Sequence, residues 1–331
     1  MKNFIVLSIL SFISFQLQSQ TFSSTNPDYI TNVKAGEAAL NAEKYDSCLI
    51  YYKEAFTIKQ TSILSTLRGA ACAYSADNHT ILNNYLDIAF DLNWDQPKAI
   101  FDQYPEFEYL NKTTFEEMIV QRWEMSAKEA GINLELMAEL KEISRTDQLQ
   151  RGEMRYISDT YGWKSPQMDS LWVLQNATDS INQIRIEEII EEFGYPGQTL
   201  VGSSAGSTAF MVIQHSNQEM QELYLPLLKE QADKGEIRWS SVALMVDRVL
   251  LGKGEKQIFG SQIHTDQKTG EQYFGEIENP FKIDSIRNTV GLGSLQDYGD
   301  HWEIKWNPDK HLARHKKIKE EKAMKTEKKK E

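Results

Sequence analysis

The sequence predicts a mainly α protein made of stacked helical hairpins and a second helical domain with a small β-hairpin. Three observations carry this. Apolar residues recur at spacings of three and four over long stretches, the period of a helix with one buried face. A pattern of small and aromatic residues returns 33 residues after its first occurrence, as it does where helical hairpins stack. Period-two alternation belongs to residues 256–277, around an Asp-Gln-Lys-Thr-Gly turn. A length of 331 residues predicts two domains, and 40% hydrophobic content supplies their cores.

The first element is an export signal over residues 1–20. Lys2 precedes an apolar run from Phe4 to Phe15, and Gln16 to Gln20 form a polar exit. About a dozen apolar residues are too few for the roughly 20 that span a bilayer. No cysteine follows to take a lipid, and no later segment reaches spanning length. The expectation is a chain exported to the periplasm or beyond, with no transmembrane segment after signal removal.

Residues 27–126 come next. Gly36, Ala39, Tyr45, Cys48, Tyr52 and Ala55 form one unit, and Gly69, Cys72, Ile81, Tyr85 and Ala89 a second. The order and spacing resemble tetratricopeptide repeats, although the second copy lacks an aromatic where Tyr45 stands. Residues 94–125, rich in aromatics from Trp94 to Phe115, are expected to cap the stack as a third unit. The resemblance implies a groove for a protein or peptide partner, or else a spacer or dimerisation surface. Cys48 and Cys72 are the only cysteines. Export makes a disulfide available to them. Both also sit where packing wants a small residue, so two buried thiols is the plainer expectation.

The formal net charge is −12. The tail, residues 309–331, carries ten Lys or Arg from Lys310 onward and is expected to be a solvated disordered or helical segment. Setting aside residues 310–331 and Lys2 leaves −19 over residues 21–309. Nucleic acid is therefore not an expected partner, because phosphates are bound by clustered Lys and Arg.

Gly131, in the stretch 127–132, breaks the helical pattern and separates the repeats from a second domain at 133–300. Its first helix carries Met137, Leu140 and Ile143 on one face. The same face continues to Asp147 and Arg151, with Gln148 beside them, so a stripe that should be buried ends in a carboxylate and a guanidinium. A second helix spans 167–193, with Ile181, Ile184, Ile189 and Ile190 as apolar contacts and Asn182 among them. Gly194 and Tyr195-Pro196-Gly197 end it. Gly202-Ser-Ser-Ala-Gly206 is neither a phosphate loop nor a nucleophile elbow, since no Lys follows and no strand precedes it. Its small residues are expected to allow close packing. The third helix ends at Gln214-His215, and His215 follows Met211 and Val212 inward. It reads as a core histidine or as a general base.

Asp247-Arg248 interrupts the apolar run Val242–Leu251. Neighbours in a helix do not face each other, so each buried charge needs a partner from elsewhere. Arg151 or Arg287 is the expected partner of Asp247, and Asp147 that of Arg248. A strand over Lys256–His264 and its return over Gln272–Ile277 are expected to lay Gln257 and Gln262 over this cluster. A last helix, Asp284 to Thr289, brings Arg287 and closes at Gly291. His311 and His315 are spaced i,i+4 but lie in the basic tail. No acidic cluster accompanies any of the six histidines, so neither a metal nor another cofactor is expected.

Taken in order, Asp147-Gln148-x-x-Arg151, Asn182, Gly194-Tyr-Pro-Gly, Gln214-His215, Asp247-Arg248-Val249, Gln257-x-Phe-Gly-Ser-Gln262 and Arg287…Gly291-Leu292 resemble the bacterial domain of unknown function 6624. The resemblance covers residues 134–298. Members of that family usually carry Trp where Tyr195 stands, and Tyr-Gly-Thr-Gln where this chain has Phe259-Gly-Ser-Gln. Phe259 thus removes a hydroxyl that could have served as an acid. The resemblance implies that the scattered polar positions belong to one domain and brings no reaction with it.

Two functions follow as expectations. In the first, the domain binds or acts on a small polar or anionic ligand. His215 is then the base, Asp247 orients it, Arg151, Arg248 or Arg287 holds charge, and Gln214, Gln257 and Gln262 hydrogen-bond the ligand, with Asp147, Gln148 and Asn182 completing the site. In the second, the protein is a non-enzymatic scaffold whose polar cluster is a salt-bridge network.

Overall fold

The computed structural model describes residues 22–266 and 269–327. The export signal expected over 1–20 lies outside them. The fold is mainly α with one small antiparallel hairpin. It divides into two compact units between Leu134 and Glu135.

The N-terminal unit opens with two helical hairpins, α1 (Pro27–Asn41) with α2 (Tyr45–Ile58) and α3 (Ile63–Ser75) with α4 (His79–Leu92). Asn26, Ser62 and Asn78 cap α1, α3 and α4 through side-chain oxygens that accept orphan backbone N–H groups. The 33-residue return has a packing cause. A Cβ on Gly36 would lie 2.8 Å from the Tyr52 ring, and one on Gly69 would lie 3.0 Å from the Tyr85 ring. Each hairpin thus closes by laying a tyrosine on a bare backbone. The turns repeat as well, with Glu43 and Asp77 both left-handed at φ 57° and 55°. Cys48 and Cys72, fully buried, are joined as a disulfide between α2 and α3 with Cα atoms 6.0 Å apart. This corrects the expectation of two thiols. The shared interface that demands small residues also sets the pair at bridging distance. Then come α5 (Gln96–Gln103), a 3-10 segment (Pro105–Leu110) and α6 (Thr114–Glu129). They place Phe101, Phe107, Leu110 and Phe115 in the same core.

The C-terminal unit is built on two 28-residue helices, α7 (Leu134–Tyr161) and α8 (Pro166–Phe193). They run antiparallel, as shown by the ion pairs Arg151–Asp179 and Arg185–Glu139. Helix α8 buries Leu171, Gln175, Asn182, Ile186 and Ile189. Ile181 and Ile184, expected as core contacts, are 69% and 59% exposed, because they lie on the opposite face of the helix.

The chain continues through α9 (Gln198–Val201), α10 (Thr208–His215), α11 (Gln218–Asp233) and α12 (Trp239–Gly252). A Cβ on Gly206 would meet the backbone N of Gln198 at 2.8 Å, so the small residues before α10 do serve close packing.

Strands β1 (Ile263–Thr265) and β2 (Gln272–Phe274) pair antiparallel. The strand expected from Lys256 begins only at Ile263, because the amides of residues 258, 259 and 261 are spent on Asp247 rather than on a ladder. Helices α13 (Ile283–Asn288) and α14 (Leu295–Asp300) follow.

The basic tail forms α15 (Pro308–Glu327), and its first turns are docked rather than solvated. His311 and His315 are buried, their rings 4.5 Å apart. His311 Nε2 accepts from the Ile277 N–H at 3.2 Å, and His315 Nε2 donates to the Phe274 carbonyl at 2.9 Å. The i,i+4 spacing that suggests a metal pair is in fact the attachment of α15 to the hairpin. Among the described residues no helix is long and apolar enough to cross a membrane.

Candidate functional site

The first cluster grows from the buried face of α7. Leu140 and Ile143 fill it, and one turn later the same face presents Asp147 and Arg151, 1% and 6% exposed. Asp147 Oδ2 accepts from Gln148 Nε2 at 2.6 Å and from Arg151 Nε at 3.4 Å. Both carboxylate oxygens also lie 3.0–3.1 Å from His215 Nδ1, delivered by the last turn of α10. Arg151 turns its other edge to α8 and donates to both oxygens of Asp179, at 2.6 and 2.8 Å. Gln175 steadies Asp179 at 2.7 Å. Burial alone would raise the Asp147 carboxyl. The contacts with His215, Arg151 and Gln148 outweigh it and hold that carboxyl below its ordinary range. Asn182, one helical turn along, sits at the margin of this cluster, with contacts of 3.4 and 3.5 Å to Thr146 and the Ile143 carbonyl.

A second cluster surrounds Asp247, whose side chain is fully buried. Oδ1 accepts from the amides of Ile258 and Phe259 at 2.7 and 2.9 Å, and Oδ2 from the amide and hydroxyl of Ser261 at 2.9 and 2.8 Å. Gln257 bridges the base of the same loop. Its Oε1 accepts from the Gln262 amide at 2.9 Å and its Nε2 donates to the Gly275 carbonyl at 2.7 Å. Arg287 donates to the carbonyls of Phe259 and Gly293, at 2.8 and 2.7 Å. Tyr298 holds the Ser261 carbonyl at 2.9 Å. Gln262 donates to the Leu244 carbonyl. Loop 257–262 is thus gripped by its own backbone. Burial raises the Asp247 carboxyl above its ordinary range even against four hydrogen bonds.

The expected pairings therefore change. Asp247 is not the partner of His215, Arg151 or Arg287. Backbone amides occupy both of its oxygens, and the carboxylate that orients His215 is Asp147. Nor does Asp147 serve Arg248. The Arg248 guanidinium donates to the Gln214 carbonyl at 2.7 Å, at the negative end of α10, while its Nε is buried without a hydrogen bond. Gln214 contributes this carbonyl rather than its amide side chain. Among the described residues neither Arg248 nor Arg287 has a carboxylate ion pair, and burial lowers both below the ordinary arginine value.

Arg248 and the Asp147 cluster both reach the end of α10, Arg248 through the Gln214 carbonyl and Asp147 through His215. The Asp147–His215 contact fixes Nδ1 and leaves Nε2 without a hydrogen bond among the described residues. That is the arrangement by which a buried carboxylate holds an imidazole ready to take a proton. Among the described residues no group of three or more His, Cys, Asp or Glu is placed to hold a metal.

Sequence reasoning missed Asp179, Gln175, Ser261 and Tyr298 as parts of these clusters. Gln175 and Asp179 had a signal, being polar and four apart on the inward face of α8. Ser261 had the signal of sharing one parity with Gln257, whereas Tyr298 had none, because only the folded loop brings it in.

No curated protein and no solved structure matches the chain. A family model does, over residues 134–306, which takes in both clusters, the hairpin and α14 and ends at Trp306, packed edge-on against Phe274. The match spans more than half of the chain, and the chain belongs to this family of unknown function, DUF6624.

Proposed function

We propose that the DUF6624 domain binds a small anionic or amide-bearing ligand at the C-terminal end of α10 and uses His215 on it as a general base. The observation that carries this reading is the Asp147–His215 contact. A carboxylate 1% exposed sets both oxygens within 3.0–3.1 Å of one imidazole nitrogen, and the other nitrogen has no hydrogen bond among the described residues. Arg248 supports it. It is a half-buried guanidinium with a buried, unused Nε and no carboxylate partner among the described residues, beside Gln214, and such a charge is costly unless something answers it. Asp147 takes the orienting role, and Asp247, Gln257, Gln262 and Arg287 shape the loop beside the site. The full chain, titrated in a thermal-shift assay with phosphate, sulfate, acetate and glutamine, is expected to gain stability with at least one of them. That gain disappears in Arg248→Gln. No shift with any probe, or a shift that Arg248→Gln leaves intact, rejects the reading.

The scaffold reading keeps one observation of its own. Both oxygens of Asp247 and one donating edge of Arg287 are spent on loop 257–262, and the other edge of Arg287 on the Gly293 carbonyl, as in a purely structural network. In either reading we infer an exported protein. The Gly36–Tyr52 and Gly69–Tyr85 hairpins, with their tetratricopeptide spacing, then serve a protein or peptide partner.

A further inference from the structure

Helix α8 is apolar on two opposite faces. One packs inward through Leu171, Ile186 and Ile189. The other presents Val173, Leu174, Ile181 and Ile184, which are 69%, 57%, 69% and 59% exposed, with Ala177 among them. These positions follow at one, four, eight and eleven residues from the first, so they form a single stripe about three turns long. Four aliphatic side chains this exposed amount to roughly 400 Å² of apolar surface, the size of the largest patch on a typical monomer, which is often functional.

We propose that this stripe is the interface of a two-fold dimer in which α8 packs antiparallel on α8 of a second copy. The stripe is complementary to itself. An axis passing between Ala177 and Ile181 sets Leu174 of each copy against Ile184 of the other and Ile181 against Ala177, the small residue that lets the helices approach. The same register carries the acidic end of the stripe, Glu188 and Glu191, to Ser170 and Gln167, within the first five residues of the opposing α8. There the positive end of the helix dipole receives carboxylates. Glu188 keeps its ion pair with Arg185, and Glu191 has no ion pair among the described residues. Two such faces bury on the order of 800 Å² of apolar area, which a polar rim extends into the range of stable interfaces. A lipid surface fits less well, because the stripe is flanked by glutamates and not by Lys or Arg.

Sedimentation equilibrium of the full chain between about 1 and 100 μM tests this. The wild type is expected to be a dimer. Ile181→Glu and Ala177→Gln should each raise the dissociation constant by about 100-fold or more. Leu149→Glu, at a 53% exposed leucine on α7 outside the stripe, should leave it unchanged. Both stripe positions face solvent, so circular dichroism of the two variants should match the wild type, and either one suffices for the test. A wild type that is monomeric at 100 μM overturns the proposal. So does a dimer that tolerates both substitutions, or a monomer that binds anionic vesicles through the stripe.

Discussion

Replacing Asp247 by Asn tests whether this carboxylate is a strut or a reagent. The change keeps the shape and one acceptor oxygen, which can still receive the amides of Ile258 and Phe259. The other oxygen becomes an NH₂ group and confronts the Ser261 amide, now 2.9 Å from an acceptor. One charge-assisted hydrogen bond is lost and a backbone donor is left facing a donor. Each of these costs about 1–3 kcal/mol. Asn is also cheaper to bury than a carboxylate already raised by burial, which returns about 1 kcal/mol. The balance is a loss of about 1–5 kcal/mol, centred near 3. Asp247→Ala, which orphans three buried amides, should lose about 4 kcal/mol or more. Urea unfolding of the full chain at pH 7 measures this, fitted with separate transitions for the two units. An Asp247→Asn variant within about 0.5 kcal/mol of the wild type would refute the strut assignment, since no group placed as Asp247 is placed could lose its charge so cheaply.

Three further outcomes follow from the packing. Cys48→Ser/Cys72→Ser opens a crosslink of sequence separation 24 and should cost the N-terminal unit about 3 kcal/mol, read as a lower urea midpoint that reductant reproduces in the wild type. Gly206→Ala pushes a Cβ into the backbone of Gln198 and should cost about 2 kcal/mol or more, with a matching drop in melting temperature. Acid should loosen α15. Burial holds His311 down to about 4 against an ordinary 6.5, so its neutral form is the folded one. Its contribution is complete above pH 6.5 and falls away between 6.5 and 4, by about 2 kcal/mol after allowance for solvent at a ring near the surface. His315 is lowered too, while Glu276 opposes the shift of both rings, Lys256 adds to that of His311, and Arg314 and Lys319 add to that of His315. Stability measured at pH 7.5 and 5 should diverge in the wild type and converge in His311→Gln, whose amide still accepts from Ile277.

The helical architecture was legible because its causes are local. Period, caps and the Gly-to-Tyr offset of the hairpins all lie within 35 residues of one another. The inward turn of Asp147 and Arg151 was legible too, since a stripe that buries Leu140 and Ile143 must bury what comes one turn later. What failed was partner choice. Asp247 looked as though it needed a guanidinium, because a sequence displays side-chain charges and hides backbone amides. Three N–H groups of a short loop satisfy it instead, and in doing so they abolish the strand read over the same residues. Ile181 and Ile184 misled for another reason. Ile181, Ile184, Ile189 and Ile190 on one helix suggest one face, yet the angular positions divide them, and only the antiparallel contact with α7 shows which side is covered. The tail histidines were set aside with the charges around them, although a helix needs only two inward positions to dock.

His215 is where stability and function can be separated by measurement. Asp147 loses one donor in His215→Ala but keeps Gln148 at 2.6 Å and Arg151, and Arg151 keeps both oxygens of Asp179. The loss should therefore be about 1 kcal/mol, one hydrogen bond to a charged acceptor that retains others. Asp147→Ala removes the acceptor of three donors at once and should cost about 3 kcal/mol or more, as breaking a buried charge network does. Acid separates the two residues as well. Asp147 is held below its ordinary range, so its share of stability is present above about pH 3.8 and is lost only as the pH falls further, below the window in which His311 acts. If His215→Ala instead costs 3 kcal/mol in urea at pH 7, the imidazole is itself a brace of the α7–α10 contact. The ligand site then contracts to Arg248. If it costs the expected 1 kcal/mol, the fold gains little from a nearly buried imidazole whose second nitrogen it does not use, and that nitrogen remains available for a ligand.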